Sequence, residues 1–125
     1  MTVQVTTPSD ANAHEFAPGA RMNQLFGNGN KEHPAHCGIG SMEAGVSVTF
    51  DTPGYGFMIV LEGDAQIEDE ATLGQVKALK PGDVVHWEKG SLAKYTSITS
   101  SRVFCTISTP LGDLDVGVVS SEGHH

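Results

Sequence analysis

Two four-residue corners, Leu61-Glu62-Gly63-Asp64 and Lys80-Pro81-Gly82-Asp83, set the rhythm of this chain. Each separates short apolar runs. Each also pairs a glycine, which accepts positive φ, with an aspartate that can cap its own turn. Between Tyr55 and Ile107 the corners frame two strand-turn-strand units. A chain punctuated in this way closes or doubles an antiparallel sheet, because doing so buries the apolar face and protects the edges.

The rest of the chain follows the same pattern. Val46, Val48 and Phe50 recur with a period of two until Thr52-Pro53-Gly54 ends the run. Phe57 to Leu61 is continuously apolar, as in a strand covered on both faces. Further strands are expected at Ala65 to Ile67, Thr72 to Leu79, Val84 to Trp87, Leu92 to Ile98, Arg102 to Ser108 and Asp115 to Val119. Frequent Gly and Thr make a long helix costly. Residues 1–20 read as a flexible N-terminal arm, with a short strand at Val3-Gln4-Val5, and Arg21 to Phe26 as the first strand of the domain. A single barrel is expected over 21–119, followed by a tail over 120–125. His124 and His125 in that tail read either as native residues or as a tag remnant and are set aside.

A length of 125 residues suits one core. Seven basic against fifteen acidic residues give a net charge of -8, which repels phosphate backbones and anionic lipid. No nucleic-acid or membrane partner is expected, and no apolar run is long enough to cross a bilayer. Met1 to Asp10 lacks the basic-then-apolar pattern of a secretory signal, so a cytoplasmic protein is expected. Of the two cysteines, Cys105 lies in an apolar run and reads as a small buried side chain, whereas Cys37 follows His36 and is open to a ligand role.

Phe57-Met58-Ile59-Val60-Leu61-Glu62-Gly63-Asp64, followed by Leu79-Lys80-Pro81-Gly82-Asp83-Val84-Val85 and a turn at Glu88-Lys89-Gly90-Ser91, resembles the cupin superfamily (RmlC-like). The second half is most similar to the small EutQ-like cupins of the ethanolamine-utilisation type. The likeness spans roughly residues 38–109 and implies an all-β fold, an antiparallel double-stranded β-helix or jelly-roll barrel. It also implies where a metal would be held. The family's glutamate position falls on Gly56, its paired histidines near Thr49 and Asp51, and its second-motif histidine on Ala93. Glycine and alanine offer no lone pair, so the usual cupin metal site cannot form from those residues.

Other residues remain as candidates. His86 interrupts an apolar strand and would serve as a general base if it faces the cavity. Glu88 and Tyr95 would orient or protonate a substrate; Tyr95 lies two residues after Ala93 and so shares its strand face. Tyr55, Phe57, Trp87 and Phe104 are the expected pocket residues. Tyr55, like Tyr95, would donate a phenolic hydrogen bond to a substrate oxygen, while Phe57, Met58, Trp87 and Phe104 are core residues first and substrate-packing residues second. His33 and His36, in His33-Pro34-Ala35-His36-Cys37, are candidates for a displaced zinc or iron site. No cofactor is preferred.

The residues leave three readings open. One is a small-molecule enzyme, an isomerase, cyclase or lyase moving a proton on a compact oxygenated metabolite. The second is a non-catalytic ligand-binding or assembly cupin. The third is a metal enzyme with a displaced histidine site. A homodimer is expected in any of them, because pairing sheets covers strand surface.

Overall fold

The computed structural model describes residues 2–72 and 74–123; His124 and His125 lie outside them. Among these residues eleven strands follow one another: β1 (His14–Ala17), β2 (Ala20–Gly27), β3 (His36–Met42), β4 (Ser47–Asp51), β5 (Gly56–Glu62), β6 (Ala65–Asp69), β7 (Val76–Leu79), β8 (Val84–Trp87), β9 (Leu92–Ser97), β10 (Ser101–Ile107) and β11 (Val118–Glu122). The helical content is two short 3-10 turns, Asp10–Asn12 and Glu70–Thr72. Among the described residues no helix is long and apolar enough to cross a membrane.

The strands form a six-stranded sheet in the order β1-β2-β3-β10-β5-β8 and a five-stranded sheet in the order β11-β4-β9-β6-β7, with every pairing antiparallel. The all-β jelly roll expected from the sequence is therefore present, with one correction. The sheets stack as a sandwich and are not closed into a barrel by a shared hydrogen-bond ladder. The two glycine corners explain this. Each carries the chain from one sheet to the other, β5 to β6 and β7 to β8, instead of joining ladder neighbours.

At the first corner Gly63 has φ +83°, and a Cβ there would overlap the Ser100 carbonyl oxygen. At the second, the Lys80 amide donates to Asp83 Oδ2 at 2.9 Å and the Gly82 amide to the Val60 carbonyl at 2.8 Å. That second contact ties the corner to β5. Inward residues of both sheets meet in one core that includes Val46, Val48, Val60, Ala65, Tyr95 and Cys105.

Three boundaries differ from the sequence reading. Val3 and Val5 form no strand and are 94% and 89% exposed, because nothing packs against that segment. Within the expected arm, His14–Ala17 pairs with β2, and Phe16 packs on Phe50 with ring centroids 5.9 Å apart. The last strand starts at Val118, since the Asp115 and Gly117 amides donate to the carboxylates of Asp113 and Asp115 in a local turn.

Candidate functional site: an apolar cavity between the sheets

A strand exposes alternate side chains to opposite faces, and here that alternation decides what the inner space contains. Met22 on β2, Met58 on β5, Val85 and Trp87 on β8, and Val103, Cys105 and Ile107 on β10 point inward from the six-stranded sheet. Phe50, Ala93, Tyr95 and Ile67 point inward from the five-stranded sheet. Between them lies a cavity of about 600 Å³, within the range of ordinary small-molecule pockets. Carbon dominates its wall. Polar groups cluster in two places.

The first is a row of hydroxyls. Tyr95 Oη lies 2.8 Å from Ser101 Oγ, which lies 2.8 Å from Ser97 Oγ. Burial pushes the Tyr95 phenol above its ordinary value, and its bond to Ser101 offsets only part of that. The second lies along the β6–β7 hairpin, where Asp69, Thr72, Gln75 and Lys77 border the cavity. Asp69 Oδ1 accepts from the Ala71 amide at 2.9 Å and so holds the start of the 3-10 turn. Arg21 also borders the cavity, and its guanidinium reaches Glu15 at 3.3 Å.

The residues named from sequence divide sharply. Tyr95 and Trp87 line the cavity. His86 borders it, but the ring is turned away. Phe57 and His86 are register partners, while their neighbours Met58 and Val85 form the inward pair. The imidazole therefore lies on the outer face, where its Nδ1 donates to the Gly56 carbonyl at 2.9 Å and fixes Nδ1 as the protonated nitrogen. Phe57 is half exposed on that same outer face. Phe104 sits between inward Val103 and Cys105 and so also faces out. Tyr55 is exposed at the strand end, its amide bonded to Ser108 Oγ. Glu88 is exposed on its turn, where its carbonyl accepts from Thr52 Oγ1 at 2.6 Å. His86, Glu88 and Tyr95 are thus not brought together around one space.

The histidine pair His33 and His36 also separates. His33 is exposed in a turn organised by Asn28 and Asn30. His36 is buried, donating from Nδ1 to the Thr109 carbonyl at 2.7 Å. Gln24 sits beside it and joins the Gly112 amide (2.9 Å) to the Asp113 carbonyl (2.7 Å). These contacts latch the 109–113 loop to β2 and β3. Neither histidine borders the cavity.

The usual cupin metal does not fit these residues. Thr49 and Asp51 flank inward-facing Phe50 and so lie on the outer face, while Phe50 and its register partner Ala93 have no side-chain donor atom. A Cβ at Gly56 would overlap the Thr106 carbonyl oxygen and come within 2.6 Å of Trp87 Cζ2, so the indole already fills the space of a side chain there. Among the described residues no group of three or more His, Cys, Asp or Glu is arranged to hold a metal ion. Cys105 is a buried cavity thiol, pushed up to about 12 by burial and then by the neighbouring Cys37, so it is a poor nucleophile near neutrality.

Sequence reasoning missed Met22, Met42, Val103, Cys105 and Ser101 as wall residues. The spacing of Ser101, Val103, Cys105 and Ile107 held the signal. Aromatic size pointed to Phe104 instead.

No family model matches the sequence, and no curated protein matches it. The backbone is similar to solved structures. Ectoine synthase from P. lautus superposes with a TM-score of 0.70 at 12% identity, over 86% of this chain and 80% of that one. An acetylacetone dioxygenase from Acinetobacter johnsonii gives 0.68 at 20% identity, over 98% and 87%. The EutQ protein of Clostridium difficile gives 0.66 at 15% identity, over 89% and 80%.

Proposed function

This chain has the cupin fold, and from that premise we propose that it binds a compact, largely apolar small molecule in the cavity between its sheets. One observation carries the reading. Phe50, Trp87 and Ala93, none of which offers a metal a lone pair, stand on the wall of about 600 Å³ of mainly carbon-lined volume. Burying a ligand of that character releases ordered water from both surfaces and needs only a few polar anchors.

The groups inside do not favour proton transfer near neutrality. The Tyr95 phenol and the Cys105 thiol are both held protonated by burial, and the His86 ring lies on the other side of its sheet. The binding role is therefore preferred over an isomerase, cyclase or lyase. A second reading keeps one specific support. Asp69 and Lys77 border the cavity, and among the described residues neither belongs to an ion pair. A carboxylate and an ammonium at the mouth would suit acid/base work on a bound carbonyl compound.

Calorimetric titration with methylcyclohexane and cyclohexanol tests the preferred reading. Saturable one-to-one binding is expected, and it should be lost in Ala93→Phe, whose added ring fills the cavity. Should that variant fail to fold by circular dichroism, Ile67→Trp fills the same space from β6. Binding unaffected by a folded filling variant would place the probe elsewhere and end this reading.

A further inference from the structure

The hydroxyl row has a direction. Ser97 Oγ lies 2.5 Å from the Thr99 carbonyl oxygen and 3.2 Å from the Met42 carbonyl oxygen, and both can only accept. A serine has one hydroxyl proton, so Ser97 spends it on those carbonyls. Its 2.8 Å contact with Ser101 Oγ then requires Ser101 to donate. With that proton committed, the 2.8 Å contact between Ser101 Oγ and Tyr95 Oη requires Tyr95 to donate in turn. The phenolic oxygen is left with lone pairs alone. Burial keeps the phenol protonated, which holds the row in this sense.

Tyr95 and Ser101 both line the cavity, and both are almost wholly buried. We infer that the Tyr95 oxygen is a fixed hydrogen-bond acceptor on the cavity wall, so that the bound ligand is one presenting a donor there, an alcohol or an N–H compound, and not a bare carbonyl. This reverses the role expected from sequence, in which Tyr95 gives a hydrogen bond to a substrate oxygen. A ketone placed there sets lone pair against lone pair, whereas an alcohol of the same skeleton supplies the missing proton. The inference rests on the binding role proposed above and names the polar class of its ligand.

Cyclohexanol, cyclohexanone and methylcyclohexane, titrated against the whole chain, separate the possibilities. The alcohol should bind roughly three- to tenfold more tightly than the ketone, as one net hydrogen bond provides. Ser101→Ala releases the Tyr95 proton, so the ketone should gain and the preference should shrink or invert. Tyr95→Phe removes the acceptor, and the alcohol should lose its advantage. Equal binding of alcohol and ketone to the unaltered protein overturns the inference, as does a preference that survives Ser101→Ala intact. If methylcyclohexane binds and no alcohol preference exists, only the direction of the row is wrong. If none of the three binds, the binding role falls and takes this inference with it.

Discussion

The imidazole of His86 stacks on the ring of Phe57, with centroids 4.7 Å apart and 27° between the planes. Because the two are register partners on the outer face, the best base candidate in the sequence is spent on a surface aromatic contact. Replacing His86 with Ala should therefore change the affinity for cyclohexanol by less than about twofold, while costing about 1 kcal/mol of stability from the lost stack. Calorimetry and urea unfolding read the two effects separately. A loss of binding tenfold or greater, with the fold intact, would restore His86 to the cavity.

Gly56 and Trp87 should behave as one unit. Gly56→Ala forces a Cβ against Thr106 and the indole, and overpacking of this kind costs about 1–3 kcal/mol. In a Trp87→Ala background the indole half of that clash is gone, so the Gly56→Ala penalty should fall. A double-mutant cycle from urea unfolding gives the coupling. Strictly additive penalties would show that the indole does not occupy the space over Gly56.

Alkaline pH should weaken the fold through two buried acids. The Cys105 thiol rises from an ordinary 9.0 to about 12 in the folded chain, and Tyr95 rises above 10.0. In both cases the unfolded chain loses its proton first. The stabilisation is thus complete below the unfolded values and is lost as pH climbs from 9 towards 12. Unfolding free energy measured across that range should fall more steeply for the unaltered protein than for Cys105→Ala. Identical slopes would mean that the thiol meets solvent in the folded state.

Gln24 bridges β2 to a loop almost ninety residues away in sequence. Gln24→Ala should cost about 1–3 kcal/mol by leaving the loop's polar groups and buried His36 short of partners. Amide exchange at Gly112, whose proton Gln24 holds, should quicken more than exchange in the β5–β10 ladder. Unchanged exchange at Gly112 would rule out the latch.

The fold was largely legible because its corners are local. Gly63 and Gly82 sit in short turns whose residue chemistry is visible without tertiary information. Sheet closure was less visible, since it depends on whether Val84–Trp87 and Val76–Leu79 share a ladder, and no single strand encodes that. The cavity was read only in part. Tyr95 was placed by its two-residue offset from Ala93, a parity argument that survives folding. His86, Phe57 and Phe104 stand out in the sequence by side-chain chemistry and size, but the sheet turns all three outward. Which face a strand buries depends on register with its neighbours, and Met58 opposite Val85 settles it here.

In the proposed binding role the space between the sheets takes an organic ligand without a metal. Met22, Met42 and Met58 line that space from three different strands of one sheet, so their methyl groups report on its contents directly. Titrating cyclohexanol into protein labelled at the methionine methyl carbons, after prolonged chelation, should shift all three resonances along one saturable curve. Three unmoved resonances at millimolar alcohol, or shifts that appear only once a divalent metal is restored, would contradict the account.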